Sequence, residues 1–294
     1  MKIGISGIGM GKGSRPGTLR LVAAHAERLG FNTLWAPEHV VLFDHYESHY
    51  PYSDDGSFLA ASTVDLTDPF VTLSYVAAST TRIRLATGIC LVPEHNPLVL
   101  AKQIATLDAL SGGRFALGVG IGWSWEEFAA LGIPFERRAQ RTCEYIEVMR
   151  KLWGEEKTSF AGEFVTFKDA RCFPKPAQGA RVPIIFGGES TPALRRVARY
   201  GTGWFSVKLT PDQLATKLAQ LQTLLAENNR KLADIELIVS PYDAAVSREQ
   251  LRRYAELGVN EIIPFVRMPS DERQIPAHLE QIAREWIEPA ATLG

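Results

Sequence analysis

Two short stretches carry residues able to do chemistry. In "LWAPEH", Glu38 and His39 stand side by side at the end of an apolar run. A histidine exchanges a proton near neutral pH, and an adjacent carboxylate can orient its ring or hold it charged. In "PIIFGGESTPALRR", the run Ile184, Ile185, Phe186 reads as a strand that leaves through Gly187 and Gly188 and enters a helix at once. Thr191 reads as the N-cap, with Ser190 before it and Pro192 at the first helical position. Free backbone N–H groups at a helix start, beside two residues without side chains, make a site for a phosphate. The remaining histidines fall on helices (His25, His278) or loops (His45, His49, His95). No Ser-His-Asp set, close carboxylate pair or metal-spaced cluster is visible, so no metal is expected. Side chains this sparse in acid and base imply that a bound cofactor carries the chemistry.

Two glycine-rich stretches imitate nucleotide loops and fail in detail. "GISGIGMGKG" has Ser6 where a triphosphate loop needs glycine and Gly13 where it needs a hydroxyl after Lys12. Its Gly7, Gly9 and Gly11 give G-x-G-x-G rather than the dinucleotide spacing. "GVGIGW" follows a strand but lacks the acidic residue about twenty positions on. At the ends of strands, such glycines let a flat ligand approach the backbone.

The elements that must position these residues alternate. Strands are predicted at 2–8, 32–37, 82–92, 114–120, 182–188, 203–207, 235–242 and 259–266, each followed by helical periodicity. Eight strand–helix units specify an α/β fold with a parallel sheet, a (β/α)8 TIM barrel in preference to an open doubly wound sheet. Segment 155–182 fits no helix and reads as a hairpin and Pro-rich loop inserted after the fourth strand. The chain is expected to be one domain, 1–294. The polar and aromatic stretch 40–67, with Tyr46, Tyr50, Tyr52 and Phe58, reads as a lid over the strand ends.

Composition narrows the partners. The 294 residues are 46% hydrophobic and 22% charged, with a formal net charge of -1. That balance argues against nucleic acid or an anionic membrane. Three scattered cysteines, no apolar run of about 20 residues and no signal-like N-terminus point to a cytoplasmic protein.

At "LWAPEH", "TRIRLATGICLVPEHNPLVLAKQIATLDALSGGRFALGVGIGW" and "PIIFGGESTPALRRVARYGTGWF", the sequence resembles the luciferase-like flavin and deazaflavin oxidoreductases, most closely the branch dependent on coenzyme F-420. The resemblance implies a TIM barrel with an insertion after the fourth strand. It puts a cofactor phosphate at Gly187, Gly188, Ser190 and Thr191, and a non-proline cis peptide at Gly88-Ile89 beneath the ring. It lays the ring over Ile89 and near Gly120, Gly122 and Trp123, with Glu38 and His39 at its reactive edge as the catalytic pair. Some deazaflavin members carry a glutamate proton donor where this chain has Trp123, which puts a sugar-phosphate mechanism in doubt. Trp123 and Trp125 shape an apolar pocket or pack the fourth helix. The anionic tail of F-420 needs a cationic exit, for which Arg195, Arg196 and Arg199 are candidates. The resulting expectation is hydride transfer between F-420 and a small organic substrate, in a homodimer. The alternatives are an FMN-dependent monooxygenase fed by a flavin reductase, and a flavin- or phosphate-binding barrel without turnover.

Overall fold

The structure is a computed structural model that describes residues 1–242 and 245–293. Eight parallel strands follow one another round a nearly closed barrel. They are β1 (Lys2–Ile3, continued by Ile5–Ser6), β2 (Thr33–Ala36), β3 (Arg84–Thr87, continued by Cys90–Leu91), β4 (Phe115–Gly120), β5 (Ile184–Gly187), β6 (Gly203–Val207), β7 (Glu236–Tyr242) and β8 (Glu261–Pro264). Each strand pairs with the next in parallel, and Lys2 opposite Glu261 joins β8 back to β1. Closure excludes the open sheet.

The barrel interior is filled by one cluster of inward-facing side chains. Trp35, Ala86, Ala116, Ile185, Phe205, Ile238 and Ile263 come one from each of β2 to β8, and all are buried. Small residues at 86 and 116 make room for the indole of Trp35, which contacts the Phe205 ring at 5.2 Å between centroids. A filled interior makes this a packed core rather than a pore, and leaves the strand ends for function.

The helices are started by their own sequences. Asp68, Asn96, Ser190 and Thr210 cap α2 (Pro69–Ala77), α3 (Pro97–Leu110), α6 (Thr191–Tyr200) and α7 (Pro211–Glu227), each with proline in the first turn. Between them lie α4 (Trp125–Ala130) and α5 (Arg138–Gly154) after β4, while α1 (Pro16–Leu29) follows β1. Two further helices, α8 (Arg248–Glu256) and α9 (Ile275–Ile282), complete the outer layer. The insertion is an antiparallel hairpin, Thr158–Ala161 with Thr166–Ala170. Its turn is held by the Glu144 carboxylate, which accepts hydrogen bonds from the backbone N–H groups of Glu163, Phe164 and Val165. Segment 40–67 holds no helix or strand beyond one bridge at Leu66.

Candidate functional site

A cavity of about 610 Å³ opens at the C-terminal ends of the strands, roofed by segment 40–67. Its floor is the interrupted strand β3. The Gly88-Ile89 peptide is cis, where the resemblance puts it. The Ile89 side chain lies between two glycines: a Cβ at Gly120 or at Gly187 would stand 2.8 Å from Ile89 Cδ1. The glycines of β4 and β5 therefore seat Ile89 and keep a flat surface at the cavity floor. Gly122, Trp123, Gly188 and Ser190 also line the cavity.

At the β5 end, Gly188 adopts φ 106° and its carbonyl accepts a hydrogen bond from Trp204 Nε1 at 2.9 Å. The helix cap falls one residue earlier than predicted. Ser190 Oγ accepts from Ala193 N, while Thr191 occupies the first turn and its Oγ1 accepts from Gln220 Nε2 at 2.8 Å. Serine is the stronger cap of the two hydroxyl residues, and the structure takes it. The Thr191 hydroxyl is thereby tied to α7, and Thr191 does not line the cavity.

Two arginines stand at this end. Arg196, of the three in α6, lines the cavity; its Nε is buried without a hydrogen-bond partner. Arg138, from the start of α5, donates from Nε to the Gly122 carbonyl at 3.1 Å and lies over the Phe135 ring at 3.7 Å. Burial, then the Arg196 charge, hold the Arg138 guanidinium below its ordinary pKa. Neither arginine has a carboxylate ion pair among the described residues. Arg196 also borders a second groove, of about 530 Å³, with Arg137, Arg195 and Arg199. Sequence reading missed Arg138, which lies 58 residues from Arg196 along the chain and meets it only through the fold.

The acid–base pair is not the one that adjacency suggests. His39 lines the cavity, but its Nδ1 bonds Glu127 Oε2 at 2.7 Å, not Glu38. Glu127, in the first turn of α4, also accepts from the backbone N–H of Val40 and Val41 through Oε1. Its carboxylate can only accept, so Nδ1 carries the proton and Nε2 is the ring nitrogen left for the cavity. Glu38 turns the other way, because consecutive residues leaving a strand point to opposite sides. Its Oε1 meets His95 Nε2 at 3.0 Å and its Oε2 accepts from Leu91 N at 2.6 Å. Burial works to raise the Glu38 pKa, but His95 and Leu91 N–H hold it below the ordinary value. Burial likewise pulls against His95, and Glu38 raises it overall, so the two form an ion pair. Cys90 completes a trio whose donor atoms lie within 4.8 Å of one another, a cluster hidden by sequence distance. Burial first, then Glu38, push its thiol well above the ordinary value.

Between the two pairs lies a third carboxyl, Glu94, 8% exposed and with neither oxygen hydrogen-bonded. Burial, then the charges of Glu127 and Glu38, push it up to about 9. Overhead, Trp123 stacks with Phe58 (5.3 Å, 29°), and both stand edge-on to the His39 ring. Tyr46 and Tyr50 close against Trp123 at 5.0 and 5.1 Å. Trp123 therefore belongs to the cavity, whereas Trp125 is exposed and does not line it. The roof is anchored: Glu126 Oε1 accepts from Glu47 N and Ser48 N, and Lys208 Nζ donates to the Tyr52 carbonyl at 3.0 Å.

The model of the luciferase-like monooxygenases matches residues 4–291. The chain belongs to this family. Among its relatives, the uncharacterized protein Rv0953c of Mycobacterium tuberculosis is 36% identical over 259 residues, covering 88% of this chain and 90% of the relative. An F420-dependent glucose-6-phosphate dehydrogenase of Kineococcus radiotolerans is 29% identical, covering 92% and 79%. In fold, the chain matches the monooxygenase RslO1 from Streptomyces bottropensis with a TM-score of 0.76 at 21% identity, over 98% and 99% of the two chains. It matches the coenzyme F420 dependent tetrahydromethanopterin reductase from Methanopyrus kandleri at 0.75 and 17%, over 98% of each. These likenesses support an oxidoreductase on a luciferase-like barrel. No described helix is long and apolar enough to cross a membrane.

Proposed function

We propose that the protein is an oxidoreductase that binds coenzyme F-420 at the strand ends and exchanges hydride with a small organic substrate. The observation that carries this reading is the run of cations at one end of a glycine-floored cavity. Arg196 has an orphaned, buried Nε, and Arg138 shares that end. A phosphate there would supply the acceptor that Arg196 Nε lacks and the counter-charge that both guanidiniums lack, and would meet the backbone N–H groups at the start of α6. Gly187, Gly188 and Ser190 would hold that phosphate, and Ile89, Gly120 and Gly122 would back the ring. Arg196 also opens onto the groove with Arg137, Arg195 and Arg199, which fits a ligand whose anionic tail runs outward. The three acids there are already engaged: Glu144 by the hairpin backbone, Glu163 by Arg137 and Glu147 by the Tyr200 hydroxyl.

When bound, the deazaflavin supplies a ring carbon that accepts or donates hydride. The protein's part is proton handling and exclusion of water. His39 Nε2 takes the proton from a substrate hydroxyl, or returns it to a carbonyl oxygen, while Glu127 fixes the ring and stabilises its charged form. The aromatic roof keeps water from the reacting atoms.

Titration of the apo-protein with F-420 and, separately, FMN tests the reading through ligand fluorescence. F-420 is expected to bind tighter, and Arg196→Ala to weaken it about tenfold to a hundredfold, the worth of one charge-assisted contact. Preference for FMN, unaffected by that substitution, would replace hydride transfer by oxygenation with a reductase partner. Binding of neither would remove the cofactor site altogether.

A further inference from the structure

Beside the cavity floor, groups able to bind a metal ion crowd together. Glu38, just past the end of β2, lines the cavity, while Cys90, Glu94 and His95 follow the cis peptide that interrupts β3. Spacing along the chain conceals the set, because Glu38 lies 57 residues from His95. A Glu38 carboxylate oxygen, a His95 ring nitrogen and Cys90 Sγ lie within 4.8 Å of one another, with Glu38 Oε1 and His95 Nε2 at 3.0 Å. Zinc bonds of about 2.0–2.3 Å put tetrahedral ligand atoms about 3.3–3.8 Å apart, so small side-chain shifts bring the trio to that spacing. A second observation points to a cation. Glu94, on the turn Val92–Glu94, is 8% exposed and neither of its carboxyl oxygens is hydrogen-bonded. Its charge bears on Cys90, that of Glu38 bears on it in turn, and Asp68 adds a further negative charge at Cys90 and His95. Among the described residues, no lysine or arginine pairs with Glu38, Glu94, Glu127 or Asp68. An enclosed carboxyl group without hydrogen bonds is costly, and a divalent ion shared with the trio would satisfy it. A thiol and an imidazole in the set select zinc over magnesium or calcium, which take oxygen ligands.

We propose that this cluster is a structural zinc site, in which Cys90 Sγ, His95 Nε2 and the Glu38 carboxylate bind the ion and Glu94 turns in as the fourth ligand. Four protein ligands and no open position suit a structural ion rather than a catalytic one. Binding exchanges protons for metal. The Cys90 thiol, the His95 Nε2–H and the Glu94 carboxyl each release a proton to solvent, and bonds to the ion take their place, so affinity rises with pH. The ion would clamp β2 to the interrupted strand, where Leu91 N already donates to Glu38 Oε2 and Ile89 forms the cavity floor.

The test uses the full chain, freed of metal with EDTA, kept reduced and titrated with Co2+ as a spectroscopic stand-in for zinc. Binding is expected to produce visible ligand-field absorption of tetrahedral strength and a near-ultraviolet thiolate-to-cobalt band. Zn2+ added to the metal-free protein should release about two to three protons per ion, read with an indicator dye, and raise the thermal midpoint. Cys90→Ser is expected to abolish the thiolate band. His95→Gln should weaken Co2+ binding at least about tenfold, the lower bound for losing even a supporting group of a metal site. Cys143→Ser and Cys172→Ser, which alter the cysteines outside the cluster, should keep both band and affinity. Circular dichroism verifies the fold of each variant, and His95→Gln carries the test if Cys90→Ser does not fold. No thiolate band at saturating Co2+, a band that survives Cys90→Ser, or binding unaffected by His95→Gln would overturn the proposal. None of these readouts uses F-420, so the cofactor reading stands or falls separately.

Discussion

Two histidine–carboxylate pairs sit within one end of the barrel, made from the same residue types and similarly buried. His39 with Glu127 has side-chain exposures of 11% and 1%; His95 with Glu38 has 17% and 3%. Burial does not separate them. What separates them is the side of the wall that each faces. His39 lines the cavity and engages Glu127 through Nδ1, whereas His95 engages Glu38 through Nε2 and lies outside the lining, near the edge of Phe70. The same residue types are thus used once toward the cavity and once to tie β2 to the turn after β3.

If that division is right, the largest effect belongs to His39. His39→Ala should cost about 10² to 10⁴ in turnover, the usual range for a positioned acid–base group, with F-420 affinity nearly kept. Steady-state kinetics beside a cofactor titration checks both halves; an unchanged kcat would put the two pairs on the same footing.

Removing Glu38 should do the reverse. Glu38→Ala leaves His95 buried without its counter-charge, which costs about 3–5 kcal/mol of stability. The deficit should vary with pH in a defined way. Glu38 is held below its ordinary 4.5, so its contribution is full above that value and is lost as pH falls through the lower folded one. His95 is raised above 6.5, so its contribution is full below 6.5 and is lost as pH rises through the higher folded one. Denaturation midpoints of the two proteins should differ most between about pH 4.5 and 6.5 and converge toward both extremes. A deficit that stays flat with pH would mean that the pair is no more than packing.

Glu94, beside both pairs, gives the smallest and sharpest test. With its folded pKa at about 9 against an ordinary 4.5, it stays neutral in the fold while the unfolded chain ionises. Its contribution therefore turns against folding as pH rises above about 4.5, by at most ~1.4 kcal/mol per unit. Glu94→Gln should leave stability unchanged near pH 4 and raise it by about 1–3 kcal/mol near pH 8. Urea denaturation at the two pH values measures the difference, and no gain at the higher one would mean that Glu94 is ionised and partnered.

Much of this architecture was legible in the residues. The strand–helix alternation, the Asp68-Pro69 and Asn96-Pro97 helix starts, and the hairpin in 155–182 depend on local backbone preferences, which short segments express by themselves. So do the glycines at 120, 122, 187 and 188, all of which reach the cavity. The cap at Ser190 rather than Thr191 was a one-residue choice between adjacent hydroxyls, decided for the stronger capping residue.

The partners of the charged groups were not legible. Glu127 lies 88 residues from His39 and Glu38 lies 57 from His95, while the acid beside His39 in sequence is directed away from it. By itself, the sequence determined which elements form, where the strands end and which residue types gather there, because propensity, caps and glycine act over a few residues. Only the tertiary structure decided which carboxylate faces which histidine, that Arg138 joins Arg196, and that Glu94 is enclosed without a partner. Those are matters of side-chain direction and dielectric surroundings, and both are set by the closure of the barrel.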